Sequence, residues 1–158
     1  MSDPARFKQP VSVLVVVHSA AREVLLLERL SPPGFWQSIT GSLEPGETPR
    51  EAALRELEEE TGLNDVCGRL VDWRHCNRFE IRPEWRRRYA PGVTHNTEHV
   101  FSLCLPCARP VRLAADEHTA QLWLPPEAAA AKVFSWTNRD AILQLARGPL
   151  PGARARDD

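Results

Sequence analysis

The sequence predicts an α/β (α+β) layered domain, and three observations carry that prediction. Val11 to Val17 is an almost unbroken apolar, β-branched run, the pattern of a strand buried on both faces. Around Pro49 to Thr61 the chain carries a full set of helix signals. Thr48 suits the N-cap, Pro49 the first helical position, Glu51 closes a capping box, and Gly62 follows the last turn. Thr137 to Arg147 sets Ala141, Ile142, Leu145 and Ala146 on one side of a second helix, with Gly148 beyond it.

The other elements follow in order. Val24 to Leu27 reads as a second strand, joined to the first by a turn over Ser19 to Glu23. Ser31 to Gly34 is a Pro- and Gly-rich loop, Phe35 to Thr40 is extended, and Gly41 to Pro49 is broken by Gly41, Pro45, Gly46 and Pro49. Val66 to Trp73 and Phe79 to Ile81 read as strands, and Pro83 to Pro91 as a polar loop. Val100 to Leu105 and Gln121 to Leu124 are further strands, and Pro126 to Lys132 is a short Ala-rich helix. Residues 1–158 read as a single domain with an ordered core over about residues 8–148 and a frayed tail over 149–158.

Composition excludes several roles. Hydrophobic residues make up 42% and charged residues 26%, as in ordinary globular chains. A net charge of −1 sets up no global field for nucleic acid or an anionic membrane. No apolar run is long enough to span a bilayer, and Met1 to Pro10 lacks a signal-peptide core, so a cytoplasmic protein without an obligate protein partner is expected. Cys104 and Cys107 have CxxC spacing but no second pair, and with Cys67 and Cys76 they read as plain thiols of a reducing compartment. No HxH pair occurs, His95 and His99 have HxxxH spacing but lie outside any predicted helix, and no GxSxG occurs, so neither a histidine metal site nor a serine nucleophile is expected.

The first predicted helix is where chemistry concentrates. Glu56 and Glu60 are i, i+4 neighbours and Glu59 lies three residues from Glu56, so the three share a face. Ala53, Leu54 and Leu57 form an adjacent apolar stripe. Like charges at this spacing repel, and a bound divalent cation would offset the repulsion. Alone, the face could equally be solvated.

The preceding loop decides between these. Gly41-Ser-Leu-Glu-Pro-Gly-Glu47, seven residues, then Arg55-Glu-Leu-Glu-Glu-Glu-Thr-Gly-Leu63 resembles the Nudix box at all nine of its defined positions. The resemblance implies a Nudix-type α/β/α sandwich, with a mixed sheet between helices and the carboxylate helix packed on it. It implies a hydrolase of phosphoric anhydride bonds that uses Mg2+, with Mn2+ able to substitute. It assigns Glu56, Glu59 and Glu60 as catalytic metal ligands, one of them a candidate general base. Arg55 would orient Glu47, and the Gly41 carbonyl could face a metal.

Flanking segments narrow the implied substrate. Lys8-Gln-Pro-Val, Phe35-Trp-Gln-Ser-Ile-Thr-Gly-Ser, Arg88-Tyr-Ala-Pro-Gly-Val-Thr-His-Asn-Thr-Glu98 and Ser135-Trp-Thr-Asn-Arg-Asp resemble the bacterial branch of the family that releases pyrophosphate from dihydroneopterin triphosphate in folate synthesis. By that resemblance Glu117 adds a metal ligand, and Lys8, Arg29, Thr40, Ser135 and the stretch Ile81 to Glu84 touch substrate. Arg82-Pro-Glu-Trp85 and His95 depart from the branch's pattern.

Further substrate contacts are read from residue chemistry. Arg88, with Arg86 and Arg87, could grip a triphosphate or form a solvated basic loop. Trp36 and Trp136 could stack on a flat ring or pack in the core. The expected partner is thus a small phosphorylated molecule, a pterin or nucleoside triphosphate. The alternatives are a housecleaning (d)NTP pyrophosphatase and a non-catalytic nucleotide-binding Nudix domain, the latter disfavoured by the intact carboxylates.

Overall fold

The computed structural model describes residues 7–148, so the tail expected to fray lies outside the described residues. Strand β1, Val11–Ser19, is buried on both faces: none of Val13 to Val17 is more than 2% exposed. That double burial is why the run lacks alternation. It pairs in parallel with β6 (His95–Leu105) on one side. On the other side it is antiparallel to β2 (Val24–Arg29) near one end and to β4 (Ile39–Ser42) near the other.

Around this centre the sheet is mixed and seven-stranded among the described residues. β5 (Arg69–Glu80) lies outside β6; β3 (Trp36–Gln37) and β7 (His118–Leu124) both pair with β2. Because β2 and β4 share one edge of β1 at different heights, the sheet splays there, and a cleft opens at the divergence.

Helix α1, Pro49–Thr61, forms as its signals predict. The Thr48 hydroxyl accepts from Glu51 N, and Glu51 Oε1 accepts from Thr48 N. Gly62 takes φ 75°, a left-handed turn open to glycine at little cost, and donates to Glu58 O. Its Ala52, Ala53 and Leu57 pack with Val13, Val15, Phe101 and Leu103 on one face of the sheet. Burying Leu57 alone is worth about 2 kcal/mol. The opposite face is covered by α2 (Pro126–Lys132) and α3 (Trp136–Arg147), whose Ala130, Ile142 and Leu145 pack with Leu14, Val16 and Val100. The result is the α/β/α arrangement implied above.

Several boundaries differ from expectation. Val66 is 89% exposed and precedes β5, because Asn64 Oδ1 accepts from Val66 N in a local turn that competes with the strand. The two strands expected over Val66 to Ile81 are one, bent by a bulge between Asp72 and Cys76 where Arg74 takes φ 52°. Pro83–Arg88 is a 3-10 helix rather than a loop, with Pro83 at its start. Gly41 and Ser42 belong to β4, and the extension broken at Ser38 forms two strands because Ser38 N donates to Asn138 Oδ1 instead of to a neighbouring strand.

Candidate active site

A cleft of about 710 Å³ joins the carboxylate helix to the splayed strands. α1 presents Glu56 and Glu60 to it, 8% and 1% exposed, because they lie on the buried side of the helix with Ala52 and Ala53. Gly41 of β4 faces Glu56 so closely that a Cβ there would come within 2.8 Å of Glu56 Cγ and overlap its carboxylate. Glycine at this position is therefore a space requirement, not a conformational one.

Arg55 organises the outer rim. Its Nε and Nη2 donate to the two oxygens of Glu47 at 2.8 and 2.9 Å, its Nη1 to Glu56 Oε1 at 2.7 Å, and its Nη2 also to Ser42 O at 3.0 Å. The guanidinium holds the Glu47 carboxyl below the usual carboxylate range. Glu59, expected among the metal ligands, is exposed on the rim, tied to Arg55 at 3.3 Å, and does not line the cleft.

Opposite lies Glu117, on the segment leading into β7, and next to it the buried His118. Glu60, Glu117 and His118 each bring a ligand atom within 4.8 Å of the others. Both oxygens of Glu60 are buried without a hydrogen-bond partner among the described residues. Burial, then the Glu56 and Glu117 carboxyls, push its pKa well above the ordinary value. Burial also raises Glu117, helped by Glu56. Burial and the Arg29 cation lower His118 to about 4, so its 3.6 Å approach to Glu60 is not an ion pair at neutral pH. An orphaned buried carboxylate among like charges is a costly arrangement, and hard oxygen donors so placed fit a divalent cation.

Cations occupy the other wall. Lys8, Arg29 and Arg88 line the cleft. Crowding by the cleft walls lowers the Lys8 pKa, and Arg88 and Arg29 lower it further. Arg29 and Arg88 lie 5.2 and 5.7 Å from the ring centroid of Trp85, and neither has a carboxylate partner among the described residues. Thr40 and Ser135 also line the cleft; Thr40 Oγ1 donates to Val13 O, and Ser135 Oγ accepts from Asn138 N as the cap of α3. Of the stretch Ile81 to Glu84, Ile81 and Arg82 reach the cleft.

Residues 8–145 match the NUDIX domain family. The chain belongs to the Nudix family. It is 48% identical over 142 residues to dihydroneopterin triphosphate diphosphatase of Escherichia coli (strain K12), covering 88% of this chain and 93% of that one. It is 38% identical over 140 residues to the protein of the same name from Haemophilus influenzae, covering 87% of each. The solved structure of the E. coli dihydroneopterin triphosphate pyrophosphohydrolase superposes with a TM-score of 0.82 at 48% identity, covering 87% of this chain and 95% of that one.

Within this Nudix cleft two sets of alternatives left open by the sequence are resolved by position. Trp36, which could stack on a ring or pack in the core, is absent from the lining and packs against the α2–α3 core, with Lys132 Nζ 5.0 Å from its ring centroid. Strand alternation explains it: Gln37, the next residue of β3, faces the cleft instead. Arg86 is pinned away by Glu80 and Ile81 O, and Arg87 is exposed outside the cleft, leaving only Arg88 of the triple on the wall.

Other lining residues were not singled out from sequence. Trp85 sits within the segment that departs from the branch pattern, and its place directly before Arg86-Arg87-Arg88 was the available signal. His118 neighbours Glu117 but has no histidine at metal-ligand spacing. Asn96 and Glu98 end the flanking segment that resembles the branch, which was the available signal, but their strand was expected to begin only at Val100.

Proposed function

We propose that this Nudix enzyme hydrolyses dihydroneopterin triphosphate to dihydroneopterin monophosphate and pyrophosphate, with magnesium as its metal and manganese able to replace it. The observation carrying this reading is 48% identity, over 88% of the chain, to a relative named for that reaction. The cleft supports it, because a carboxylate wall faces Lys8, Arg29 and Arg88, which have no carboxylate partner among the described residues, across a space suited to a triphosphate.

Glu56, Glu60 and Glu117 would hold the metal. When bound, magnesium neutralises phosphate charge and lowers the pKa of water. Lys8, Arg29 and Arg88 bind the phosphate oxygens, the arginines as planar forks. Arg55 positions Glu56 and Glu47 without touching the reacting atoms. Water attacks a phosphorus, one anhydride P–O bond breaks, pyrophosphate departs, and a carboxylate of the cluster takes the water's proton.

Cys67, Cys76, Cys104 and Cys107 are free thiols, which supports a reducing, cytoplasmic setting. No helix among the described residues is long and apolar enough to cross a membrane. The test compares kcat/KM with magnesium for dihydroneopterin triphosphate, dGTP and dATP. Preference for the pterin is expected; equal or better turnover of dATP would move the protein to nucleotide-pool cleaning.

A further inference from the structure

The cleft holds a second group of buried polar atoms, away from the carboxylate helix. Asn96 and Glu98 lie two residues apart on β6 and so share a face, 3% and 5% exposed, and both line the cleft. Asn96 Nδ2 donates to Ser12 Oγ at 2.7 Å, whereas Asn96 Oδ1 and Glu98 Oε1 have no hydrogen-bond partner among the described residues. No cation pairs with Glu98 among those residues. The elements around it offer neutral groups: Ser12 opposite on β1, Asn77 opposite on β5, and Thr137 from α3. Burial alone raises the Glu98 carboxyl to about 7, with the Thr137 hydroxyl only partly opposing it.

Two orphaned acceptors side by side in a cleft call for a ligand with adjacent donors. We propose that Asn96 and Glu98 form a ring-recognition subsite for the 2-amino-4-oxopyrimidine edge shared by pterins and guanine. That edge carries a ring N–H beside an exocyclic NH2, two adjacent donors for the two unpaired acceptors, Asn96 Oδ1 and Glu98 Oε1. Adenine offers one donor and one ring acceptor there, and the acceptor would face carboxylate oxygen. The inference rests on the proposed function in taking this cleft as the substrate site, and it names what selects the ring.

The test uses Glu98→Gln, a near-isosteric change that replaces one acceptor by a donor, and Asn96→Ala. Two readouts are taken: kcat/KM with magnesium for dihydroneopterin triphosphate, dGTP and dATP, and metal-free binding of phosphate-free neopterin by its ring fluorescence. Expected for both variants is a loss of about 10- to 100-fold on the pterin and dGTP, mainly in KM. The loss on dATP should be at least tenfold smaller, and neopterin binding should weaken in parallel. Losing the pterin alone would assign the selectivity to pterins; losing both assigns it to the shared edge. Equal losses on all three substrates, or unchanged neopterin binding, would overturn the subsite. Wild-type protein that binds neopterin through Glu98 but cleaves no triphosphate would instead sink the proposed activity and keep the subsite.

Discussion

Replacing Glu98 by Gln should stabilise the metal-free protein, and only above mildly acidic pH. Glu98 is 5% exposed, and burial raises its carboxyl from the ordinary 4.5 to about 7. Below about pH 4.5 folded and unfolded chains both hold the proton, and the substitution removes no charge. Between about 4.5 and 7 the unfolded chain ionises while the folded chain keeps its proton, so wild-type stability falls as pH rises. The loss is complete once pH passes the folded value. A rise from 4.5 to about 7 corresponds to about 3 kcal/mol. Urea unfolding of both proteins in chelator, from pH 4.5 to 8, measures the difference between them. Glu60, Glu117 and His118 titrate in both, so their contributions cancel to first order. A stability gap that opens from near zero to about 3 kcal/mol is expected. A gap independent of pH would mean that Glu98 ionises normally in the fold, refuting the burial argument.

Three further changes test the site. Glu60→Gln removes a charge whose pKa burial and the Glu56 and Glu117 carboxyls hold high, so metal-free protein at pH 8 should melt higher while turnover falls more than about 100-fold, beyond the usual effect of outer-shell partners; near-normal turnover would refute its role as a ligand. Gly41→Ala would push a Cβ into Glu56, costing about 1–3 kcal/mol in urea unfolding and weakening magnesium binding in calorimetry. Arg55→Lys keeps the charge but loses the paired contacts to Glu47, and kcat should fall about 10- to 100-fold with little change in KM.

What the sequence disclosed and what it hid divide along physical lines. α1 was legible to the residue because its limits are local: Thr48, Glu51 and Gly62 act through hydrogen bonds within a few residues. β1 was legible because double burial demands a continuous apolar run. β6 was legible only from Val100, five residues late, since its first residues are polar. Two of them, Asn96 and Glu98, are polar because they line the cleft, and site chemistry there overrides the strand pattern. β7 begins at His118 rather than Gln121 for a related reason, with His118 beside Glu60. The box placed Glu56 and Glu60 in sequence, but their meeting with Glu117 and His118 depends on strands far apart in the chain. Trp36 and Trp85 show the limit of residue type alone: both could stack on a ring, and strand alternation turned one into the core while a 3-10 turn aimed the other into the cleft.

The central claim is metal-dependent cleavage of a pterin triphosphate between its phosphates at the Glu56–Glu60–Glu117 cluster. Its most direct test is product analysis of dihydroneopterin triphosphate incubated with the purified protein, with magnesium and again with chelator. Pyrophosphate and dihydroneopterin monophosphate are expected in equal amounts with magnesium, and neither with chelator. Stepwise release of orthophosphate, or product formation that survives the chelator, would contradict it.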